Sequence, residues 1–595
     1  MNASALVARA LVDELVRCGV REAVLAPGSR SAPLALALHA AAEATAVAQA
    51  DAGTGRLRLH VRVDERSAGF LAVGLARTGR APVAVLTTSG TAVANLHPAV
   101  LEASHAGLPL LVLTADRPAR LRGTRANQTT DQVDIFGSAV RLSADLPGPT
   151  DTASASGASG VEDAQLRGVR PLVARCVAAA LGARTGDPGP VQLNLQLDDP
   201  LVPDGDEGEL PQSLAGRPEG APWTTVTPVA DPGSREAEPM DAGVPTVVVA
   251  GDDAGPPARL LAETAGWPLL AEPTSGARTG SHALRCYRLL LDGALAEGIR
   301  RVVVCGHPTL SRPVVRLVSR ADVEVVVVSP GGATWTDPGH AVSRVVPAAR
   351  AYGEAEPGWL DAWQRADKAV GAAVDLALDA GPTGPAAGGL GPHQVARAVA
   401  AALPPEGLLV VGSSNPVRDL DLMAPPYPVG ERRKIIGNRG LAGIDGMVST
   451  AVGAALARRS SRALAYLGDL TFLHDSNGLL LGPQEPRPDL TFVVANDDGG
   501  SIFATLEQGG EEHADAFERV FGTPHGADLS ALCAASGTPY RRCDSLDDLA
   551  AALARPGRGI EVIEVPVDRT DRRGLDQRLR DAARNTLDAL DRRSN

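Results

Sequence analysis

Short apolar runs recur along the whole chain, and each is followed by a polar turn and then by a segment with helical periodicity. Examples are residues 82–87, 246–250, 301–305 and 463–467. A strand that is apolar at every position is buried on both faces, and its alternation with helices is typical of a parallel sheet covered by helices. We therefore predict an α/β protein with three consecutive doubly wound, mostly parallel-sheet domains.

Segments rich in proline, glycine and acidic residues separate these domains. We expect an N-terminal domain at 1–198, a linker at 199–243, a central domain at 244–378, a second linker at 379–390 and a C-terminal domain at 391–595. Residues 149–162, which are mostly small and polar, have the composition of an inserted surface loop.

Charge and cysteine usage limit the partners and the compartment. The net charge of −13 argues against a nucleic-acid or anionic-membrane partner, because such partners need a basic face. An anionic substrate would need individually placed arginines. Six cysteines without a C-x-x-C pair disfavour a zinc site or a disulfide framework and suit a reducing cytoplasm. The N-terminal residues lead into an amphipathic helix, so we expect neither a signal peptide nor a membrane span.

Glu65 lies where strand-like alternation ends and helical periodicity begins. Burial of a carboxyl group favours its protonated form, so a buried Glu65 can share a proton near neutral pH. The alternative interpretation is that Asp64 caps the helix and Glu65 is a solvated acid of the first turn, favoured by the helix dipole.

Polar residues also follow three predicted strands of the first domain. They are Ser29 and Arg30, Ser89 and Gly90, and Arg117, with Asn127 and Gln128 in the polar stretch at 123–131. Ligands of open α/β sheets bind beyond the carboxyl ends of the strands. The first turn of the helix after Gly90 also offers free N–H groups to an anion or a cofactor ring. Three such ends together favour a binding site over simple helix capping.

The last third repeats this pattern with Ser414, Arg418, Arg439, Asp469 and the pair Asn496 and Asp497. Loops beyond parallel strands can bring oxygen ligands together around a hard cation, and Mg²⁺ bridging to phosphates is the natural candidate. In the central domain the glycines after residues 246–250 do not match G-x-G-x-x-G, so the signal for a dinucleotide site is weak.

The Gly468-Asp469 and Asn496-Asp497 pattern resembles the thiamine-diphosphate motif, in which a Gly-Asp-Gly and a distant Asn-Asn hold the magnesium of the cofactor. With Glu65, placed like the cofactor-activating glutamate, it resembles the thiamine-diphosphate decarboxylase superfamily. Finer marks resemble one member family, the 2-succinyl-5-enolpyruvyl-6-hydroxy-3-cyclohexene-1-carboxylate synthases of the menaquinone pathway. These marks are APGSRS (26–31), TSGTAVAN (88–95), TADRP (114–118), ANQ (126–128), NRG (438–440), GIDG (443–446) and GDL (468–470).

This resemblance covers both outer domains and has two departures from the superfamily pattern. Leu470 replaces the third glycine of Gly-Asp-Gly, which is also how this synthase family differs from its relatives. Asp497 stands where the superfamily usually has asparagine, and aspartate is the better ligand for a hard cation, so we expect magnesium binding to survive the change.

The resemblance implies thiamine diphosphate and Mg²⁺, or Mn²⁺, as cofactors. It implies decarboxylation of 2-oxoglutarate and addition of the succinyl unit to isochorismate with release of carbon dioxide. It also implies a homodimer or a dimer of dimers. Glu65 would be the catalytic residue, hydrogen-bonded to the aminopyrimidine ring of the cofactor.

The resemblance further assigns roles by position. The oxoacid would be held by Ser414, Arg418 and Arg439, isochorismate would face Ser29, Arg30, Arg117, Asn127 and Gln128, and Ile502 and Phe503 would form an apolar wall. The cofactor would contact Glu65, Ser89, Gly90, Asp469 and Leu470, and the metal would take Asp469, the Gly499 carbonyl and either Asn496 or Asp497.

Two alternative functions stay open at this point. Another thiamine-diphosphate-dependent 2-oxoacid decarboxylase or carboligase would share Glu65 and Asp469 but would need fewer arginines. A non-enzymatic nucleotide-sensing protein could be built on the same three α/β units.

Overall fold

The computed structural model describes residues 2–48, 57–148, 151–153, 159–161, 168–202, 214–229, 237–380 and 390–594. Much of both predicted linkers, residues 203–213, 230–236 and 381–389, lies outside the described residues. In the predicted loop at 149–162, Asp151–Ala153 and Ser159–Val161 pair as two short antiparallel strands, and the remainder lies outside the described residues.

The strands in chain order are β1 Glu22–Leu25, β2 Arg58–Val61, β3 Val83–Thr87, β4 Leu110–Asp116, β5 Leu142–Leu146, β6 Asp151–Ala153, β7 Ser159–Val161, β8 Val191–Gln196, β9 Glu238–Asp241, β10 Thr246–Ala250, β11 Leu269–Ala271, β12 Arg301–Cys305, β13 Glu324–Val328, β14 Val342–Val346, β15 Ala349–Tyr352, β16 Leu408–Val411, β17 Lys434–Ile436, β18 Ala463–Gly468, β19 Leu490–Asn496, β20 Tyr540–Arg542 and β21 Ile560–Pro566.

The α-helices are α1 Ala3–Arg17, α2 Ala32–Ala48, α3 Glu65–Gly79, α4 Thr91–Ala94, α5 His97–His105, α6 Val169–Ala180, α7 Gly255–Ala265, α8 Tyr287–Leu290, α9 Arg312–Val318, α10 Trp359–Asp379, α11 Pro392–Ala402, α12 Asn415–Met423, α13 Met447–Ala457, α14 Asp469–His474, α15 Ala514–Phe517, α16 Leu529–Ala535, α17 Leu546–Ala554 and α18 Arg572–Ser594. In the described part of the chain, no helix is long and apolar enough to cross a membrane.

Three parallel sheets form the framework of the fold. Their strand orders are β2-β1-β3-β4-β8-β5, β11-β10-β12-β13-β14 and β17-β16-β18-β19-β21-β20. Each neighbouring pair within them is parallel. The predicted α/β class with three mostly parallel sheets is therefore confirmed. Part of the predicted first linker forms β9, which pairs in parallel with β15.

The described chain groups into two compact units. The first unit comprises Met1–Val229, Asp445–Arg459 and Asp475–Pro488, and the second comprises Ala230–Ile444, Ser460–His474 and Asp489–Asn595. Helix α13 and the segment Asp475–Pro488 therefore group with the first sheet, although the predicted division places them in the C-terminal domain. The three-domain boundaries stay a prediction.

In the first unit, helices α3 and α13 cross with their backbones in contact. A Cβ added at Gly74 of α3 would clash with the Thr450 carbonyl oxygen, and one at Gly453 of α13 would clash with that of Leu71. Only glycine permits so close an approach at these two positions. The crossing ties the helix that begins at Glu65 to a segment almost 400 residues further along the chain.

One predicted helix of the first unit is wrong in its extent. The segment at 92–106, after the turn that contains Gly90, reads as helical in the sequence, whereas the structure divides it into two helices, α4 and α5. Pro98 lies in the first turn of α5. Since proline has no N–H group and its ring clashes with the carbonyl four residues earlier, a helix cannot run unbroken through this position.

The second unit contains the second and third sheets around a shared apolar core. Val302 of β12, Trp363 of α10 and Leu409 of β16 belong to one buried cluster. This continuity explains why the two predicted domains form a single unit.

The strand order of the second sheet reverses between β10 and β12. Here Asp252 and His307 exchange backbone hydrogen bonds of 3.0 and 2.9 Å. A Cβ added at Gly251 or Gly306 would clash with the opposite backbone, so the two turns are in close contact. Nucleotides of doubly wound folds lie at this position, which the backbone fills in this protein.

Candidate active site

Glu65 is the first residue of α3, and its position is fixed by the residues around it. Asp64 caps the helix, since its Oδ1 accepts hydrogen bonds from the N–H groups of Arg66 (2.8 Å) and Ser67 (3.4 Å). Asn477 donates to Asp64 Oδ2 at 2.9 Å. The capping role predicted for Asp64 is confirmed, but Glu65 is half-buried rather than fully solvated, and Asn95 donates to its Oε2 at 3.4 Å.

The start of α3 is also anchored to α13. Buried Asp475 accepts hydrogen bonds from Ser67 Oγ (3.1 Å), from the Ser449 N–H (2.7 Å) and from Ser449 Oγ (3.2 Å). Burial raises the pKa of Asp475, and the bonds from Ser449 and Ser67 oppose that rise. These hydrogen bonds fix the backbone at the start of α3, where Glu65 lies.

Polar residues at the ends of β3 and β4 meet in one hydrogen-bonded group. Arg117 Nη1 donates to Ser89 Oγ and, at 2.8 Å, to the Gln128 carbonyl. Ser89 Oγ donates to the same carbonyl at 3.0 Å, and Gln128 Nε2 donates to the Ser89 carbonyl at 2.8 Å. Gly90 has φ +82° and forms the turn into α4. The structure thus brings together Ser89, Arg117 and Gln128.

A second guanidinium lies beside this group. Arg30, in the turn after β1, donates to the Leu197 carbonyl at 2.9 Å, and its Nη1 is 3.8 Å from the Asp199 carboxylate. Its buried Nε has no hydrogen-bond partner among the described residues. Burial and the charge of Arg30 lower the pKa of Arg117. Two neighbouring guanidinium groups favour an anionic ligand here, whereas Ser29 and Asn127 lie on exposed turns.

Another pair of arginines follows two strands of the third sheet, with Arg418 as the fourth residue of α12, after β16, and Arg439 in the turn after β17. Arg418 Nη1 donates to the Ser414 carbonyl at 2.7 Å, and Ser414 has φ +70°. Arg439 is 2% exposed and donates to Thr309 Oγ1 at 2.7 Å and to Ser413 Oγ at 3.4 Å. Burial lowers the pKa of Arg418 to about 10, and the charge of Arg439 acts in the same direction. This pair also favours an anion.

Two acidic residues, Asp469 and Asp497, directly follow Gly468 of β18 and Asn496 of β19, and these two strands are adjacent in the third sheet. Asp469 is 2% exposed and accepts hydrogen bonds from the N–H groups of Leu470 (2.7 Å) and Gly499 (2.8 Å). Burial raises the pKa of Asp469. Burial and the charge of Asp469 raise the pKa of Asp497 to about 7, and Ser501 Oγ donates to Asp497. Like charges this close favour a cation between them.

The two metal candidates Asn496 and Asp497 differ in what they contact. Asn496 Nδ2 donates to Glu564 Oε1 at 2.7 Å, and Asn496 Oδ1 accepts from the Asp498 N–H at 3.0 Å. Both ends of this amide therefore have protein partners. Gly499 has φ +146°, and a Cβ there would clash with the Gly522 carbonyl oxygen, so the turn requires glycine.

The donor set fits a hard cation that also binds a ligand. In the described part of the chain, no group of three or more His, Cys, Asp or Glu side chains could hold a metal alone. Two carboxylates with backbone or amide oxygens form an incomplete oxygen shell. Mg²⁺ suits such a shell, because it usually takes its remaining ligands from water and from phosphate groups.

The predicted apolar wall lies in the segment after this turn. Ile502 and Phe503 are half-buried, and the Phe503 ring centroid lies 5.8 Å from that of Phe521. Leu470, the second residue of α14, is also half-buried.

Three residues that could not be predicted from the sequence contact the predicted site residues or the start of α3. His525 Nε2 lies 3.0 Å from Asp469 Oδ2, and His525 Nδ1 accepts from the Ala527 N–H at 2.9 Å, so Nε2 is the donor to the carboxylate. Thr309 holds Arg439, and Asp475 anchors α3. None of these three residues belongs to a recognisable motif, because each contact joins segments that are distant in sequence.

Comparison with known proteins places this geometry in context. The family model described as thiamine pyrophosphate enzyme, N-terminal TPP binding domain, matches residues 6–135, and the corresponding C-terminal TPP binding domain matches residues 421–565. Several relatives are named 2-succinyl-5-enolpyruvyl-6-hydroxy-3-cyclohexene-1-carboxylate synthase. One from a Nocardioides species is 53% identical over 96% of this chain and 97% of its own length. Those from Kineococcus radiotolerans and Thermobifida fusca are 51% and 48% identical, each over 98% of this chain and 99% of its own length.

Proposed function

Because the chain belongs to the 2-succinyl-5-enolpyruvyl-6-hydroxy-3-cyclohexene-1-carboxylate synthase family of thiamine pyrophosphate enzymes, we propose that it forms this product in menaquinone biosynthesis. In the proposed reaction 2-oxoglutarate is decarboxylated and its succinyl unit is added to isochorismate, with release of carbon dioxide. The chain is thus a transferase that forms a carbon–carbon bond.

Two groups of residues would hold the cofactor. Glu65, Ser89 and Gly90 would contact its ring end, and Asp469 and Leu470 would lie at its diphosphate end. When bound, thiamine diphosphate supplies the stabilisation of the carbanion, and the protein supplies orientation and electrostatics. Glu65 would hold a hydrogen bond to the ring, and the anchored start of α3 supports this role by fixing the carboxyl group.

We propose that Asp497, rather than Asn496, supplies the second side-chain ligand of Mg²⁺ or Mn²⁺. The amide of Asn496 already has partners at both ends. Asp497 is half-buried and experiences the charge of Asp469, and a cation between the two carboxylates would relieve that repulsion. The Gly499 carbonyl would be the backbone ligand.

The substrate proposal rests on two separate arginine pairs in a chain whose net charge is −13. Arg418 and Arg439, with Ser414, would bind the carboxylates of the oxoacid. Arg30 and Arg117, with Ser29, Asn127 and Gln128, would face isochorismate, and Ile502 and Phe503 would exclude water. Guanidinium groups pair with carboxylates through two parallel hydrogen bonds, and both proposed substrates are dicarboxylates.

The assembly and the compartment are further parts of the proposal. We expect a homodimer or a dimer of dimers in the cytoplasm, without a nucleic-acid partner or membrane insertion. Light scattering should give two or four times the mass of one chain.

An assay with both substrates, thiamine diphosphate and Mg²⁺ tests the function. Mass spectrometry should detect the succinylated product, and its formation should require isochorismate. Decarboxylation of 2-oxoglutarate at the same rate with and without isochorismate would favour a simple 2-oxoacid decarboxylase. A melting temperature that thiamine diphosphate and Mg²⁺ leave unchanged would favour the nucleotide-sensing alternative.

A further inference from the structure

The second sheet contributes directly to the surroundings of Arg439. Thr309 lies in the turn after β12, and its Oγ1 accepts a hydrogen bond of 2.7 Å from Arg439 Nη2. Arg439 follows β17 of the third sheet, so this contact joins two sheets within the second unit. The guanidinium is buried and its orientation depends on such partners, because five N–H donors on a long side chain can point in many directions.

The turn that carries Thr309 is itself held by a buried carboxyl group. Glu272, directly after β11, is 2% exposed, and its Oε1 accepts hydrogen bonds from the N–H groups of Thr309 (3.0 Å) and Leu310 (2.9 Å). The backbone pair of Asp252 and His307 fixes the residues just before the turn. The hydroxyl of Thr309 therefore has a defined position.

Arg439 has a donor left over in this arrangement. Its Nε is buried and has no hydrogen-bond partner among the described residues. Leaving a buried donor unpaired is costly, so a ligand oxygen at this point would be favourable. The Nε edge of a guanidinium is one of the edges that bind a carboxylate through two parallel bonds.

We propose that Thr309 and Glu272 are positioning residues for the oxoacid, with Glu272 fixing the turn and Thr309 orienting the Arg439 guanidinium toward a substrate carboxylate. This inference rests on the proposed function, in which Arg439 binds the 2-oxo dicarboxylic acid. The second sheet then takes part in substrate recognition, although its own strand-end crevice is filled by backbone.

The protonation state of Glu272 agrees with this role. Burial raises its pKa to about 8, against the opposing effects of the hydrogen bond from Leu310 and the charge of Arg439. Near neutral pH the group therefore carries a proton. A protonated carboxyl group can fix the turn without competing with the substrate for the charge of Arg439.

Steady-state kinetics of threonine variants test the proposal. Thr309→Val removes the oxygen and keeps the shape, so the KM for 2-oxoglutarate should rise about tenfold or more, as expected for loss of a hydrogen bond to a charged group. The kcat and the KM for isochorismate should change little, because the loss affects binding of one substrate. Thr309→Ser retains a hydroxyl and should restore the KM.

Glutamate variants and a matched control complete the set. Glu272→Ala should raise the same KM, whereas Glu272→Gln keeps an acceptor oxygen for the two N–H groups and should stay near the wild type. Ser329→Ala, which removes a hydroxyl bonded to the Gly331 carbonyl (3.1 Å) after the neighbouring strand β13, should leave both KM values unchanged. Calorimetric titration with 2-oxoglutarate should reproduce the order of the KM values.

Arg439→Ala distinguishes failure of the positioning role from failure of the proposed function. If Arg439→Ala raises the KM for 2-oxoglutarate and Thr309→Val does not, the positioning role is overturned and the proposed function stands. If Arg439→Ala leaves that KM unchanged, the oxoacid site itself is wrongly assigned. A Thr309→Val protein with lower kcat and normal KM would mean that Thr309 only supports folding, which also overturns the proposal.

Discussion

At the scale of single residues, the candidate site residues lie in local sequence motifs, but their hydrogen-bond partners come from distant segments of the chain. Strand-end arginines and the Gly468-Asp469 motif are visible in the sequence, because each lies next to an apolar run. Thr309 and His525, which bond Arg439 and Asp469, are not visible in the sequence, and neither is Asp475, which bonds Ser67 at the start of α3. A hydrogen bond between distant segments leaves no local pattern. The residue types of the site could thus be predicted, but the contacts that orient them could not.

The carboxylates at the ends of β18 and β19 give the first prediction. Asp469→Ala should abolish Mg²⁺-dependent binding of thiamine diphosphate, because it removes a charged ligand from the ion. Asp497→Asn keeps an oxygen ligand and should weaken binding only modestly. Calorimetric titration of the cofactor with and without Mg²⁺ measures both.

Asp489→Asn, which removes a charge next to the opposite end of β19, is the control and should bind the cofactor normally. Normal Mg²⁺-dependent binding by Asp469→Ala would remove Asp469 from the metal site.

The buried Glu272 gives a prediction about pH. Its pKa rises from 4.5 to about 8 through burial, so between these values the folded protein holds a proton that the unfolded chain has released. The free energy of unfolding therefore falls as pH rises through this window. Glu272→Gln has no group that titrates at this position. The melting temperature of the variant minus that of the wild type should therefore be higher at about pH 9 than at about pH 5, by about 2 °C or more.

Glu507→Gln is the control for this pH series. The hydrogen bond from Arg312 lowers the pKa of Glu507 to about 2, so the group is ionised throughout the measured range. The melting-temperature difference between this variant and the wild type should stay constant with pH. An equally constant difference for Glu272→Gln would contradict the raised pKa.

At the scale of secondary structure elements, the strands were the most predictable part. Strands β10 and β12 could be predicted because each has a run of consecutive valines after one polar first residue, Thr246 or Arg301, as is typical of strands buried on both faces. The break between α4 and α5 was missed although Pro98 marks it. The pairing of α3 with α13 could not be predicted, since it depends on glycines that meet across the fold.

The glycines of α3 allow a test within one helix. Alanine in place of glycine inside a helix usually stabilises by about 1 kcal/mol. Gly74→Ala should instead destabilise by about 1–3 kcal/mol, because its Cβ would clash with the Thr450 carbonyl of α13. Gly79→Ala is the matched control, since its Cβ would lie 3.8 Å from Ala457 Cβ, an ordinary contact. Chemical denaturation measures both, and equal effects of the two variants would argue against the close crossing.

At the scale of the whole molecule, the three parallel sheets could be predicted from the sequence. The way in which the sheets and helices group into two compact units could not. The apolar core that runs from β12 through α10 to β16 merges two predicted domains into one unit. Helix α13 likewise groups with the first sheet, because packing and not chain order decides which segments associate. Proline- and glycine-rich segments indicate where the chain passes between domains, but they do not show that a helix such as α13 packs with a sheet formed by a distant part of the chain.

We propose that the two arginine pairs bind two different dicarboxylates in one carboligation. The most direct measurement is kcat/KM for each substrate in the wild type, Arg418→Ala and Arg117→Ala. Arg418→Ala should lower kcat/KM for 2-oxoglutarate about a hundredfold or more, the effect of removing one partner of a buried charge pair, and should leave cofactor affinity unchanged. Arg117→Ala should raise the KM for isochorismate and leave the KM for 2-oxoglutarate near the wild-type value. Unaltered kcat/KM for 2-oxoglutarate in Arg418→Ala, or a KM for isochorismate that Arg117→Ala does not change, would show that the pairs do not bind these two substrates.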